Sequence, residues 1–237
     1  MKMQWMQCVV VLFMVATVYP ACAIEEKEAD ALLQKIGNKD KPALNQLEGL
    51  AEKGDAAAQD RLAVAYLNGL SVEKDYALAK KWLLKAATQG YPMSEARLGY
   101  LYENGLGEKQ DLQQAGIWYQ KACEHGNVAA CYNLGLMYMG EPLQNYAEAL
   151  RWLSKAAEAG NPQAMQNIGQ IHEKGLGVKQ DDAVALRWYL KAADAGGWQA
   201  MGVISDAYKF GRLGLPKDEE KATQWYRKYL DAQLKPK

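Results

Sequence analysis

The chain has 237 residues, 28 basic against 28 acidic side chains, and a composition that is 49% hydrophobic. These values are typical of an ordinary folded protein, and they exclude a disordered chain or one that uses a basic surface to bind nucleic acid. Seven Trp and fourteen Tyr accompany only two Phe. Such a bias indicates that a few sequence positions are repeated along the chain.

The first 23 residues predict a secretory signal peptide. Lys2 supplies a small positive region, residues 8–19 form an almost continuous apolar run, and Ala21-Cys22-Ala23 fits the small-x-small rule for cleavage. An apolar run of this length is shorter than the roughly 20 residues that a membrane-spanning helix needs. We therefore expect an exported protein, periplasmic or secreted, whose mature chain begins near Ile24.

Two other fates of this segment stay open. Acylation of Cys22 would make a lipid-anchored protein, although Tyr19-Pro20-Ala21 differs from the Leu-rich triplet that usually precedes such a cysteine. An uncleaved anchor is the third alternative. A membrane contact is expected only if Cys22 is lipidated.

Residues 24–53 predict an N-terminal cap of two weaker helices. The stretch that ends Leu50-Ala51-Glu52-Lys53-Gly54 resembles the second helix of the repeat described below, but it lacks the tryptophan.

Five tryptophans mark a repeat of about 36 residues, since they lie 36, 34, 36 and 37 positions apart in nearly the same short sequence, A-x-x-W-[LY]-x-K. Their regular register predicts that the rings pack in the core between consecutive helices. Trp198 lies outside this register. The repeated tryptophans are Trp82, Trp118, Trp152, Trp188 and Trp225.

A second block precedes each tryptophan and predicts the first helix of the repeat, helix A. In this block an apolar residue is followed by a small one and then, four positions after the apolar residue, by Tyr or His. Apolar positions four apart share one face of a helix, and the small residue lets a neighbouring helix approach closely. The blocks begin at Leu62, Leu98, Leu134, Ile168 and Ile204, and glycines that end helix A follow at Gly69, Gly105, Gly140, Gly175 and Gly211.

The tryptophan block predicts the second helix, helix B, which begins after a residue type that caps exposed helix amides. These caps are Asp75, Asp111, Asn145, Asp181 and Asp218, and the glycines that end helix B are Gly90, Gly126, Gly160 and Gly196. Each helix pair is too small to bury its own apolar face, so the copies must stack into a superhelix. We predict an all-α, right-handed α/α superhelix of five repeats at about residues 54–89, 90–125, 126–159, 160–195 and 196–232, in a unit that spans residues 54–237.

These blocks resemble the Sel1-like repeat, a relative of the tetratricopeptide repeat, from about Gly54 to Leu230. The loops Asn104-Gly-Leu-Gly107 and Lys174-Gly-Leu-Gly177 are similar to the family loop. Departures are local: two of the small residues are Ala63 and Ser205 instead of Gly, His172 replaces Tyr, and the third loop is shortened around Glu141-Pro142. The resemblance implies an adaptor that holds another protein.

Two cysteines follow the predicted cleavage site, Cys123 and Cys131, and Gly126 lies in the turn between them. Because they would face each other across that turn in an oxidising compartment, we expect a disulfide. The spacing is also similar to the cysteine-rich exported subgroup of the same family. A metal site at Cys123, His125 and Cys131 would lack a fourth ligand, so no metal is expected.

The sequence favours a non-catalytic protein without a cofactor. Ser71-Val-Glu-Lys74 spells S-x-x-K, and the cysteine-rich subgroup has been associated with penicillin binding. However, this tetrapeptide lies in a predicted loop, and the chain contains neither S-D-N nor K-T-G. A P-loop, a dinucleotide fingerprint, G-x-S-x-G and H-E-x-x-H are also missing from the sequence.

A partner is expected on helix A, which lines the concave surface in related tetratricopeptide arrays. The alternative is that some of these residues pack against the neighbouring helix A. Large apolar side chains provide most contact area at interfaces, so we expect Tyr100, Tyr132, Leu136 and Met139 to be the anchors. The other candidates for the groove are Glu103, Asn104, Gln166, Gln170 and Glu173, with Asp60, Val64, Leu67, Ala96, Asp206 and Lys209 in the wider set.

Three functions are compatible with these patterns. The first is an exported scaffold, expected to be monomeric, that binds a partner protein or peptide in its groove. The second is a periplasmic immunity or inhibitor protein that neutralises a toxin or a cell-wall enzyme. The third is a β-lactam-binding enzyme. No pattern in the sequence identifies the partner.

Overall fold

The computed structural model describes residues 24–234, and within that range the chain forms twelve helices and no strand. The predicted signal peptide and its cleavage site at residues 21–23 lie outside the described residues. No helix within residues 24–234 is long and apolar enough to cross a membrane. The helices are α1 (Glu26–Gly37), α2 (Lys41–Glu52), α3 (Ala56–Asn68), α4 (Tyr76–Ala87), α5 (Pro92–Asn104), α6 (Leu112–Glu124), α7 (Val128–Met139), α8 (Tyr146–Glu158), α9 (Pro162–Lys174), α10 (Asp182–Asp194), α11 (Trp198–Phe210) and α12 (Glu219–Leu234).

The helices pack in chain order, which confirms the predicted right-handed α/α superhelix. Helices α3 to α12 form five pairs, in which the odd-numbered helix is helix A and the even-numbered one is helix B. Each helix B also packs on the helix A of the next pair. Helices α1 and α2 precede the repeats, and both contact α3. Contacts between neighbouring pairs therefore account for most of the packing in the described part of the chain.

The loop between helix A and helix B is closed in the same way in all five pairs. The backbone N–H of the cap residue donates to a carbonyl in helix A, as from Asp75 to Tyr66 at 3.1 Å and from Asp111 to Tyr102 at 2.9 Å. The cap side chain accepts from the first turn of helix B, as the Asp75 carboxylate does from two backbone amides. The predicted caps of helix B are therefore confirmed.

Four of the predicted helix-A stops are left-handed C-caps, and Gly140 is the exception. Its φ of −93° is extended, whereas Gly105 has a φ of +62°. The loop after Gly140 is shorter than the others, and it leaves the helix along a different path. The glycines predicted to end helix B have positive φ values, such as 90° at Gly126.

Four of the five repeated tryptophans are half-buried, and the remaining one, Trp152, is buried. Trp152 is 2% exposed, while the others are partly buried and pack against core clusters. The lysine three positions later covers each ring, as Lys85 does at 4.0 Å from the centre of Trp82 and Lys121 at 4.4 Å from that of Trp118. Full burial is thus found at Trp152 only, and the recurring lysine is a cation–π partner of the tryptophan.

Candidate protein-binding face and cleft

The predicted anchors Tyr100 and Leu136 lie exposed on helix A. Tyr100 of α5 is 53% exposed, and Leu136 of α7 is 38% exposed. Each directly follows the small residue of its repeat, so the two side chains have the same register one repeat apart. The equivalent residues in the five repeats form one row, called the helix-A row below. Its members are Val64, Tyr100, Leu136, Gln170 and Asp206.

The other two predicted anchors are partly core residues. Tyr132 and Met139 are half-buried and pack against the cluster that contains Leu134 and Trp152. The Tyr132 hydroxyl lies 3.5 Å from the amide nitrogen of Asn167 in α9. Part of each side chain is therefore buried against the core and is not available to a partner.

Glu103 and Glu173 each accept a hydrogen bond from a tyrosine of their own repeat. The Tyr119 hydroxyl donates to Glu103 at 2.7 Å, and the Tyr189 hydroxyl donates to Glu173 at 2.6 Å. Burial, followed by the hydrogen bond to the carboxylate, raises the pKa of both tyrosines above the ordinary value of 10.0. Glu173 also accepts from Arg212 at 2.5 Å. Both carboxylates thus hold helix B against helix A.

The remaining predicted groove residues have polar, uncharged side chains. Asn104 is exposed, and its side chain donates to the carbonyl of Tyr100 in the same helix at 2.9 Å. Gln166 and Gln170 are half-buried on α9. The fourth repeat therefore presents a polar stretch after the apolar one formed by Tyr100 and Leu136.

Asp60, expected in the groove, is fully buried at 0% exposure. Its carboxylate accepts from Ser94 at 2.8 Å and pairs with Arg61 at 2.5 Å and with Arg97 at 3.1 Å. Arg61 in turn pairs with Asp30 of α1 at 2.5 Å. The expectation was wrong because Arg61 of the same helix and Ser94 and Arg97 of α5 enclose the carboxylate. Asp60 is a buried link between three helices.

A cleft opens beside Tyr100, between the end of α3 with its following loop, α5, and the start of α7. Its volume is about 470 Å³. Large apolar and aromatic residues line it, together with two cationic side chains, Lys74 and Arg97. Among the described residues that line it there is no Asp or Glu. The large apolar and aromatic lining residues are Leu67, Tyr76, Met93, Tyr100, Leu101 and Leu106. We call this region the α3–α5 cleft.

The sequence patterns did not single out Arg97 or Met93, and they drew attention to Lys74 only as part of the S-x-x-K tetrapeptide. Arg97 and Met93 belong to the second repeat, while Lys74 lies in the loop of the first. Their meeting depends on the stacking of two repeats, which the spacing of one repeat does not reveal. The one feature of the sequence that could have pointed to Lys74 as a cleft residue is its position directly before Asp75, the cap of helix B.

Ser71 and Lys74 of the S-x-x-K tetrapeptide have separate partners. The Ser71 hydroxyl donates to the carbonyl of Ile36 at 2.6 Å. The Lys74 ammonium lies 4.7 Å from the centre of the Tyr76 ring. A nucleophile needs its base within hydrogen-bond reach, and neither contact provides such a pair.

Cys123 at the end of α6 and Cys131 in α7 are joined by a disulfide, with 4.8 Å between their Cα atoms. Next to it, His125 lies 2.8 Å from the buried carboxylate of Glu95, a pair that the sequence patterns did not reveal. Within residues 24–234 no group of three or more His, Cys, Asp or Glu could hold a metal ion. The disulfide joins the second repeat to the third, and the His125–Glu95 pair joins the two helices of the second repeat.

This architecture defines the class of the protein as an α-solenoid of tandem helix pairs with an apolar row and a cationic cleft on helix A. The Sel1 repeat family model matches residues 56–91, 92–127, 128–161, 162–197 and 199–229. The chain belongs to the Sel1 repeat family, and this scaffold fits a role in protein–protein interaction.

Three solved structures are similar to this chain. The Sel1 repeat protein from Oxalobacter formigenes is 31% identical over 88% of this chain and 85% of that chain, with a TM-score of 0.77. Immunity protein Pa5087 from Pseudomonas aeruginosa is 22% identical over 90% of this chain and 88% of that chain, with a TM-score of 0.53. Immunity protein PA5088 from the same organism is 19% identical over 91% and 88%, with a TM-score of 0.55. No curated protein sequence matches.

Proposed function

We propose that this protein is an exported, non-catalytic scaffold that binds a partner protein or peptide along the helix-A row. The observation that carries this proposal is the exposure of Tyr100 and Leu136 in the same register of adjacent repeats. Large apolar residues at neighbouring exposed positions supply the contact area that interface anchors need. The partner would therefore contact α5 and α7 and extend towards the polar fourth repeat.

Export is supported by two features of the chain. Residues 1–23 carry the pattern of a cleavable signal peptide, and Cys123 and Cys131 form a pair of the kind that persists in oxidising compartments. Measuring the mass of the protein recovered from the cell envelope would test cleavage before Ile24. An added acyl mass on Cys22 would instead support the lipid-anchored form.

A role as an immunity or inhibitor protein is the alternative form of this binding function. Two of the similar structures are of immunity proteins, but identities of 22% and 19% indicate a likeness of fold alone. An immunity protein would bind one toxin and protect the cell from it. An adaptor would bind an envelope partner whose activity it leaves intact.

The proposal is tested by capture of partners from a periplasmic extract with the purified protein, followed by mass spectrometry. The variant Tyr100→Ala/Leu136→Ala should lose the captured partner, because truncation of an interface anchor commonly costs about 2 kcal/mol or more. The matched control is Ile117→Ala/Leu190→Ala, which removes two exposed apolar side chains from helix B instead. Equal capture by both double variants would contradict the proposal.

A further inference from the structure

We propose that the α3–α5 cleft binds an acidic peptide segment, with a carboxylate placed at Lys74 and Arg97 and an adjacent large apolar side chain placed against Met93 and Tyr100. This inference depends on the proposed binding function and specifies the chemistry of the partner. Its basis is charge complementarity, since two cations and no described acidic residue line the cleft.

Arg97 is held in place by a buried carboxylate. Its Nε lies 3.1 and 3.4 Å from the two oxygens of Asp60, which is 0% exposed and also accepts from Ser94. A guanidinium has five N–H donors, and within residues 24–234 only the Nε–H of Arg97 has a hydrogen-bonded partner. The two outer nitrogens therefore retain donors for an anion in a fixed orientation.

Arg97 shares its carboxylate partner with a second arginine. Asp60 pairs with both Arg97 and the buried Arg61, and Arg61 pairs in turn with Asp30, so the cluster contains two cations and two anions. The Arg97 side chain is nevertheless 32% exposed, so part of it remains accessible to a ligand. A carboxylate in the cleft would form a charge-assisted hydrogen bond with its outer nitrogens.

Lys74 provides the second cation of the cleft lining. It is exposed in the loop after α3, and its ammonium lies 4.7 Å from the centre of the Tyr76 ring. Within the described residues Lys74 has no acidic partner at salt-bridge distance. A lysine that rests over an aromatic ring keeps its charge available to a ligand.

The apolar part of the cleft determines the rest of the ligand. Met93 is 39% exposed and Tyr100 is 53% exposed, and both line the cleft beside the cations. A volume of about 470 Å³ holds a few side chains and excludes a folded domain. The ligand is therefore a short segment of a partner, such as a tail or a loop, with Asp or Glu next to an aromatic or long aliphatic residue.

The test is selection of random twelve-residue peptides displayed on phage against the purified full chain. The expected enrichment is for peptides with Asp or Glu within a few positions of Phe, Tyr, Trp, Leu or Met. A synthetic peptide from that set should bind Lys74→Glu about tenfold more weakly, since one close charge pair is worth about 1.4 kcal/mol or more. Tyr100→Ala should weaken its binding about thirtyfold.

The matched control is Lys217→Glu. Lys217 directly precedes the helix-B cap of the fifth repeat, as Lys74 does in the first, but it does not line the cleft. This variant should bind the peptide as the unchanged protein does. All variants should melt as the unchanged protein does, because the substituted side chains are exposed.

Three outcomes would overturn the inference: no enrichment, enrichment of basic or uncharged peptides, or equal binding by Lys74→Glu and Lys217→Glu. Its failure is distinct from failure of the proposed function. A captured protein that depends on Leu136 but not on Lys74 would preserve the scaffold role while removing the cleft from it. Peptide binding that depends on Lys74 but not on Leu136 would preserve the cleft as a binding site while removing the helix-A row from it.

Discussion

Gly99 leaves the space that the ring of Tyr119 occupies. A Cβ atom built on Gly99 of α5 would lie 2.6 Å from Cδ1 of Tyr119 in α6, and it would also meet two more ring atoms below 3.0 Å. Real Cβ contacts of this length do not occur, so a side chain here would force the two helices apart. The first repeat has Ala63 and Leu83 in the same register, where a methyl group is matched with a smaller partner.

Gly99→Ala should therefore destabilise the protein by about 1–3 kcal/mol, the usual cost of overpacking a core. Adding Tyr119→Leu should recover part of this loss, because the pair would then match that of the first repeat. Gly49→Ala is the control, since a Cβ at Gly49 inside α2 meets nothing within 4 Å. It should be neutral or stabilising by up to about 1 kcal/mol. Urea unfolding measures all four proteins, and no loss in Gly99→Ala would refute the steric account.

The tyrosine–carboxylate pairs should produce a loss of stability in alkali. The raised pKa values of Tyr119 and Tyr189 mean that the unfolded tyrosines ionise first as the pH rises above their ordinary value of 10.0. The contribution of these neutral tyrosines is fully present below pH 10 and is lost as the pH rises through the folded-state pKa. Tyr119→Phe/Tyr189→Phe should be less stable at pH 7 by about 1 kcal/mol per hydrogen bond.

The same double variant should lose less stability than the unchanged protein between pH 9 and pH 11. Denaturant midpoints at several pH values would measure this difference. Tyr226→Phe is the control, because Tyr226 follows Trp225 in the same register but is 52% exposed. An equal alkaline loss in all three proteins would contradict the assignment to the buried pair.

The disulfide should make a modest contribution to stability. Cys123 and Cys131 are separated by 8 positions, and closing so short a loop is worth about 2.5 kcal/mol in the chain-entropy estimate. Cys123→Ala/Cys131→Ala should lose about this much, and reduction of the unchanged protein should lose the same amount. Thiol labelling of the exported protein should find both cysteines blocked before reduction and reactive after it. Two reactive thiols in the unreduced protein would contradict the pairing.

The four predicted anchors should separate into two classes. Tyr100→Ala/Tyr132→Ala/Met139→Ala should abolish partner capture and also lower stability, because Tyr132 and Met139 pack against the core cluster. Tyr100→Ala/Leu136→Ala should abolish capture with nearly unchanged melting, since both side chains are exposed. Thermal melting followed by circular dichroism, with capture measured in parallel, checks this contrast. If the second variant melts much earlier, the helix-A row belongs to the core.

Periodic features of the chain were predictable because each repeat obeys the same local rules. The spacing of the tryptophans, the helix-B caps and the small residue of helix A depends on residues within one helix pair. Asp60 shows where this reasoning fails, since its 0% exposure accompanies contacts with Ser94 and Arg97 of the next repeat. The half-buried state of Trp82 and the meeting of Lys74 with Arg97 likewise depend on contacts between elements that local periodicity does not encode.

The disulfide between α6 and α7 also affects how the array would respond to mechanical load. Repeats that touch only their neighbours can separate one junction at a time when the two ends are pulled. The disulfide between Cys123 and Cys131 joins the end of α6 to α7, so a pulling force would pass through this bond and not through residues 124–130. The fully pulled chain would therefore be shorter by the length of that turn until the bond is reduced, and reduction under load would release it in one step.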